Sequence, residues 1–247
     1  MTISVVTVAR NSAATIRDTL DSVCRQTYPF VEHIVVDGAS TDGTADIARA
    51  YGHVAALVSE PDQGLYDAMN KGIRLATGDV IGILNSDDVY ATPHALALVA
   101  DMLQKTGTEA LYADLKYVHP QVLHRTVRHW RSGPYARAQF RLGWMPPHPT
   151  FFTYKKHYET LGDYDTQFRI AADYELMLRF LYKNHLSACY LPEVLVLMRT
   201  GGISNASLRH RRLANREDRR AWAANGLHPA FFTHWLKPIR KIPQYWV

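Results

Sequence analysis

The sequence predicts an α/β domain: a mixed, mainly parallel sheet flanked by helices, with a C-terminal helical extension. Three observations predict it. Over the first 105 residues, short apolar runs rich in β-branched residues alternate with segments of helical periodicity. Such alternation implies parallel strands covered by helices on both faces. The 247 residues are 47% hydrophobic and 21% charged, a globular balance with length enough to bury a core. Finally, polar or charged residues follow each of the first four strands, where sheets of this kind bind ligands.

Ile3 to Ala9 is a buried strand. Asn11 or Ser12 caps the next helix, whose Ile16, Leu20, Val23 and Cys24 share one face, and Tyr28-Pro29 ends it. His33 to Asp37 is the second strand, Gly38 to Gly43 a turn, Thr44 to Tyr51 a short helix, and Val54 to Ser59 the third strand. Leu65, Ala68, Met69, Gly72, Ile73 and Ala76 mark a helix face that Gly78 stops. Val80 to Leu84 is the fourth strand, and Pro93 opens a helix to Gln104. Further on, Ala110 to Tyr117 reads as a strand, Val118 to Trp130 as a hairpin and Pro134 to Trp144 as helical. Pro146, Pro147 and Pro149 hold an extended approach to Thr150-Phe151-Phe152. Asp173 to Tyr182 reads as a helix, Leu186 to Tyr190 and Val194 to Arg199 as two strands, and Ser207 to Asn225 as a basic helix. No linker separates independent domains. The expected division is residues 1–205, with halves 1–105 and 106–205, and an extension over 206–247.

Composition removes several function classes. Lys and Arg number 28 against 23 Asp and Glu, a net charge of +5. Cys24 and Cys189 are too few and too far apart for a disulfide framework, which points to a reducing, cytoplasmic setting. No apolar run approaches the ~18–20 residues of a spanning helix, and Met1 does not open a basic-then-apolar leader. Secreted disulfide-rich domains, integral membrane proteins and solenoids are not expected. His-x-x-x-His and His-Glu-x-x-His spacings are missing, as are a Gly-x-x-x-x-Gly-Lys-Ser/Thr loop and a Gly-x-Gly-x-x-Gly run. Zinc, ATPase and dinucleotide readings lose support accordingly.

The residues that carry chemistry cluster after strands. Adjacent carboxylates such as Asp87 and Asp88 repel unless a cation sits between them. They read either as holders of Mg²⁺ or Mn²⁺ bridging to a diphosphate, or as a solvated turn that caps the next helix. Asp37 either accepts from a base N–H or ribose hydroxyl or opens an Asx-turn. In the segment from Ser59 to Gly72, Gly64 permits close backbone approach, and Lys71 either reaches a phosphate or is an ordinary exposed helix residue.

Three runs appear in a telling order and spacing: Val35 to Thr44, Glu60-Pro61-Asp62-Gln63-Gly64 through Asn70-Lys71-Gly72, and Asn85-Ser86-Asp87-Asp88. Together they resemble the inverting family 2 glycosyltransferases, which have the Rossmann-like GT-A fold. Pro147 to Phe152, Ala172-Asp173-Tyr174-Glu175 and Arg199 to Ser204 extend the resemblance over roughly residues 2 to 205, toward the bacterial subgroup that builds surface polysaccharides and glycolipids.

The resemblance implies a role for each matching position. Thr7, Ala9 and Arg10 line the nucleotide pocket. Asp37 meets the base, Asp62 and Lys71 the donor, and Asp87 the ribose or sugar. Asp88 holds the metal on the diphosphate. Asp173 is the catalytic base; Ala172 replaces the first acid of the commoner Glu-Asp pair, which leaves Glu175 as fallback. On the bare sequence, without the resemblance, Asp173 reads as a helix N-cap before Tyr174 to Tyr182. His148 touches diphosphate or acceptor, or packs in the core. Gly201 and Gly202 form a loop over the donor, or a plain turn.

The implied activity is hexosyl or deoxyhexosyl transfer from a nucleotide sugar to a glycan or lipid-linked acceptor. UDP-sugars are the family's commonest donors, and GDP-fucose is the other candidate. A catalytically degenerate nucleotide-sugar-binding protein is the rival. A sugar nucleotidyltransferase is disfavoured, because Val8 to Ser12 is not a Gly-rich, Arg-containing loop. The basic stretch Arg209 to Arg220 and the aromatics Phe231, Phe232, Trp235, Tyr245 and Trp246 read as an anionic-membrane surface at the inner face of the plasma membrane, or as a solvated helix and packed tail. Nucleic acid is not expected, because the basic charge is absent from the sheet edge that carries the motifs.

Overall fold

The computed structural model describes residues 1–201, 208–233, 236, 237, 240 and 244. Its strands are β1 (Ile3–Ala9), β2 (Val31–Asp37), β3 (Val54–Ser59), β4 (Val80–Ile83), β5 (Val89–Tyr90), β6 (Ala110–His119), β7 (Val122–Trp130), β8 (Phe152–Tyr154) and β9 (Ala188–Arg199). Its α-helices are α1 (Ile16–Cys24), α2 (Thr44–Arg49), α3 (Leu65–Leu75), α4 (Ala95–Thr106), α5 (Lys155–Leu161), α6 (Ala172–Met177) and α7 (Leu208–Ala224). One sheet runs β3-β2-β1-β4-β8-β6-β9-β5, with β7 on β6. The first four strands in that order are parallel to one another. The short β8 then joins the halves, antiparallel to both β4 and β6. Strands β6 and β9 are parallel again.

Alternation along the strands buries both faces of the sheet. Val6, Val8, Ile34 and Val36 pack with Met69 and Ile73 of α3. Ala9 and Val35 face Ile16 and Leu20 of α1, and Ile3 and Val5 join the α4 cluster with Leu96 and Val99. A parallel sheet covered twice places its polar strand ends at one rim, and the site lies there.

Four elements differ from the sequence expectations. Helix α1 starts at Ile16 rather than beside Asn11 or Ser12. Asn11 takes φ +50°, and its Oδ1 accepts from Thr41 N at 3.0 Å. The Ser12 carbonyl accepts from the N–H groups of Thr15 and Ile16, so residues 12–15 make a turn first. The region Pro134 to Trp144 holds only a 3₁₀ turn at Arg137–Leu142. Helix α6 is short and continues as a π-helical turn, Leu178–Lys183. The two strands expected around Pro192 are one strand, β9: its register shifts so that Leu191 pairs Ala113 and Val194 pairs Asp114. Pro192 and Glu193 bulge out exposed between them, where a missing N–H does no harm.

The C-terminal helix packs into this core. Ala221 and Trp222 of α7 are fully buried. Trp222 Nε1 donates to Tyr174 Oη at 2.9 Å, and Asn225 Nδ2 to Glu175 Oε1 at 3.0 Å. Among the described residues, no helix is long and apolar enough to cross a membrane.

Candidate active site

A cleft of about 1270 Å³ opens at the carboxyl ends of β1 and β4. Ala9 and Arg10 enter it from β1, and Asn85, Ser86 and Asp87 from the residues after β4. The start of α3 contributes Gly64, Leu65 and Tyr66; the proline-rich segment contributes His148. Asp62 and Asp173 also line it, as do Ala214, Asn215 and Asp218 of α7.

The far wall is the inner face of the β6–β7 hairpin. Leu115 pairs Trp130 and Tyr117 pairs Arg128 across the ladder, so all four side chains share one face. The Arg128 guanidinium sits 4.6 Å from the Tyr117 ring centre and 5.4 Å from that of Trp130, and its Nε donates to Gln244 Oε1 at 2.8 Å. Aromatic faces with a cation among them suit a sugar ring and a polar acceptor.

The acid pair after β4 is unevenly exposed. Asp87 reaches the cleft, whereas Asp88 is fully buried. Asp88 Oδ2 accepts from Asn85 Nδ2 at 3.0 Å. Its Oδ1, and Oδ1 of Asn85, are buried without a hydrogen-bond partner among the described residues. Burial, and then the neighbouring Asp87 charge, pushes the Asp88 carboxyl well above the usual carboxylate range; burial also raises Asp87. Two orphaned hard oxygens beside a second carboxylate fit a hard divalent cation, which takes oxygen ligands and relieves the repulsion. No three His, Cys, Asp or Glu side chains among the described residues converge to hold a metal by themselves. Residues of the fold fix the pair: Thr19 Oγ1 donates to the Asp88 carbonyl at 2.7 Å and Arg199 Nη1 to the Asp87 carbonyl at 2.6 Å.

Asp173 is the second residue of α6. The helix's cap position is Ala171, with no side-chain cap bond, so Asp173 is not the cap that the bare sequence allowed. Its Oδ1 lies 3.4 Å from Tyr66 Oη, whose one proton is donated to the Ile170 carbonyl at 2.7 Å. Burial, and then the Asp173 charge, raises the Tyr66 hydroxyl well above its ordinary value, so it stays a donor. The fallback, Glu175, is taken: Oε1 accepts from Arg179 Nε at 2.9 Å, Oε2 from Arg179 Nη2 at 3.0 Å, and Asn225 adds a third bond. His148 Nε2 is 2.7 Å from Tyr164 Oη, and burial lowers its pKa against the opposing Asp173 charge. Tyr164 is itself held at both backbone groups by Asn70, at 2.8 and 2.9 Å.

The cleft therefore gathers Ala9, Arg10, Asp62, Asp87, His148 and Asp173 of the expected site residues. Others stand behind its wall. Thr7 is fully buried and bonds its Oγ1 to His33 Nε2 at 2.9 Å. Asp37 is fully buried, and its Oδ2 accepts from Ser40 N at 3.0 Å and Ser59 Oγ at 2.6 Å, so it braces the turn after β2. Lys71 is held by Glu60 and Asp62, each at 2.8 Å; those carboxylates, Asp62 first, raise its pKa. Gly201, exposed at φ +110°, lines a neighbouring pocket with Asp18, Asp87 and Arg199. Gly202 lies outside the described residues. Sequence reasoning passed over Tyr66, although it sits inside the motif after Gly64; its partners are about a hundred residues away and leave no local sign.

Residues 4–172 match the family described as Glycosyl transferase family 2. A PGL/p-HBAD biosynthesis glycosyltransferase of Mycobacterium bovis (strain BCG / Pasteur 1173P2) is 30% identical over 208 residues, which is 82% of this chain and 78% of that protein. The mannosyltransferase PcManGT from Pyrobaculum calidifontis, in complex with GDP-Man and Mn²⁺, superposes with a TM-score of 0.68 at 22% identity, over 98% of this chain and 69% of that one. TarS 1-349 of S. aureus in complex with UDP-GlcNAc superposes with a TM-score of 0.68 at 18% identity, over 96% and 69%. The match spans only 39% of the longer TarS chain. At such identities the superpositions show a shared fold.

Proposed function

The chain belongs to glycosyl transferase family 2 and is a glycosyltransferase of GT-A fold; from that premise we propose that it inverts the anomeric centre with Asp173 as base. The observation that carries this reading is the state of the two carboxylates on α6. Asp173 faces the cleft that Asp87 shares, with a tyrosine hydroxyl beside it, while Glu175 is saturated by Arg179 and Asn225.

In the proposed reaction Asp173 takes the proton of the acceptor hydroxyl as its oxygen attacks the anomeric carbon. The bond from that carbon to the diphosphate breaks on the opposite face, and the diphosphate leaves with the electron pair. Asp88, with Asn85 and Asp87 beside it, would hold Mg²⁺ or Mn²⁺, which when bound neutralises charge on the leaving diphosphate. Arg10 adds a cation at the end of β1, where the diphosphate is expected. Tyr66 holds the loop before Asp173 through the Ile170 carbonyl, and its hydroxyl oxygen lies 3.4 Å from Asp173 Oδ1.

The donor is proposed as a UDP- or GDP-sugar, in keeping with the UDP-GlcNAc and GDP-Man complexes of the two structural neighbours. The acceptor is proposed as a glycan or lipid-linked saccharide in polysaccharide or glycolipid assembly, lying along the Tyr117–Arg128–Trp130 wall. Arg212, Arg216 and Arg219 are exposed at i, i+4, i+7 spacing on α7, and Phe231 is 90% exposed. These support a docking surface for an anionic membrane at its cytoplasmic face.

The test is titration calorimetry with UDP and GDP, each with and without Mn²⁺, followed by nucleoside diphosphate release from UDP-glucose and GDP-mannose. Asp173→Asn is expected to bind the preferred diphosphate as the parent does and to lose release by at least a hundredfold. A variant as active as the parent overturns the base assignment. A parent that binds a diphosphate but releases none from either sugar favours the degenerate, binding-only reading.

A further inference from the structure

Helix α6 carries Asp173 but has no cap of its own. The three backbone N–H groups that precede it are collected from a distance. Glu217 of α7, 6% exposed, accepts from Arg169 N at Oε1 (2.9 Å) and from Ile170 N and Ala171 N at Oε2 (2.8 and 2.9 Å). Ala172, the next residue, starts the helix, and Asp173 follows it. The same loop is gripped from the other side by Tyr66 of α3, through the Ile170 carbonyl. One loop is thus held by the N-terminal half through its C=O and by the C-terminal helix through its N–H groups. One residue along α7, Asp218 lines the cleft itself.

A buried carboxylate needs its lone pairs filled, and three N–H donors fill them. A cap alone would need only a local Ser, Thr, Asp or Asn at position 171, where this chain has Ala. Using a carboxylate 46 residues away makes the direction of α6 depend on the seating of α7.

We infer that Glu217 is a positioning residue: by gathering the N–H groups of residues 169–171 it sets where the Asp173 carboxylate stands in the cleft. The C-terminal helix is then part of the catalytic apparatus. This rests on Asp173 being the base.

The experiment uses the full chain and nucleoside diphosphate release from UDP-glucose and GDP-mannose. Glu217→Gln keeps the volume but turns an NH₂ toward backbone donors, so the loop must shift. A misplacement of about 1 Å predicts a loss in kcat on the order of 10–100-fold, with donor KM and UDP or GDP affinity within about twofold. Glu217→Asp, which keeps the charge on a shorter arm, should recover part of that loss. Placed on Asp173→Asn, Glu217→Gln should not lower the residual turnover further. Unchanged kcat in a folded Glu217→Gln protein overturns the inference, as does an equal loss on the Asp173→Asn background. Should Glu217→Gln fail to fold, a folded Glu217→Asp protein with parental kcat overturns it equally. If Asp173→Asn is itself fully active, the base assignment falls first and Glu217 has nothing to position. An inactive Asp173→Asn beside an unaffected Glu217→Gln sinks the Glu217 role alone.

Discussion

His33 offers a measurable consequence of how the sheet beneath the site is built. It is 1% exposed on β2, with Nε2 2.9 Å from Thr7 Oγ1 and Nδ1 3.0 Å from His53 Nε2. Burial first, and the His53 charge second, lower its pKa from 6.5 to about 3. Below pH 6.5 the unfolded chain takes up a proton that the folded protein refuses. The contribution is therefore complete above pH 6.5 and is lost as pH falls toward 3. Each pH unit in that window removes about 1.4 kcal/mol, so a fall from neutrality to pH 5 removes about 2 kcal/mol through this one residue. The assay is urea unfolding of the parent and His33→Gln at pH 7.5 and 5.0. Buried His148, whose pKa is also lowered, titrates in both proteins and the comparison removes it, whereas half-buried His53 touches His33 and its own small change is read together with that of His33. The variant is expected to be less stable at pH 7.5, having lost part of the Thr7–His53 chain of bonds. Its further loss on going to pH 5.0 should be smaller than the parent's by about 2 kcal/mol. Equal losses in the two proteins would mean that His33 titrates normally in the fold, and the reasoning from burial would be refuted.

Two further outcomes test the packing and the donor side. A Cβ on Gly72 would lie 2.2 Å from Val6 Cγ1 and 3.3 Å from Val36 Cγ2, so α3 could not keep its seat on β1. Gly72→Ala should cost about 1–3 kcal/mol of overpacking, more than the ~1 kcal/mol of helix propensity it returns. Differential scanning calorimetry should show a lowered Tm, and an unchanged or raised value would mean that α3 can lift without penalty. Lys71 is committed to Glu60, Asp62 and the Pro61 carbonyl. Lys71→Met should accordingly lower thermal stability while leaving the calorimetric affinity for UDP or GDP within about threefold; a loss of tenfold or more would return Lys71 to the donor site.

How much could be read in advance differs sharply between local and distant features. Strands β1, β3 and β4 and helix α3 fall within a residue or two of their expected bounds, because β-branched runs and helical faces repeat within a few residues. The polar rim followed from the same alternation: Arg10, Asp62 and Asp87 are in the cleft because parallel strands all end on one side. The family motifs added Asp173, which no periodicity marks. The sequence was misleading where one residue had two outlets. Pro192 reads as a break, yet β6 carries β9 past it in a bulge. Thr7, Asp37 and Lys71 are of the right type for a ligand, and packing gives each a protein partner that the sequence does not announce.

What the chain determined by itself was therefore the alternation of elements, the rim on which chemistry is placed and the family to which it belongs. Only the tertiary structure decided that Glu175 is spent on Arg179, that Asn85 and Asp88 hold oxygens with no partner among the described residues, and that Tyr66 and Glu217 grip the loop before Asp173. The physical reason is range. A periodic pattern is satisfied by residues three or four apart, whereas a buried polar group is satisfied by whichever segment packing brings beside it.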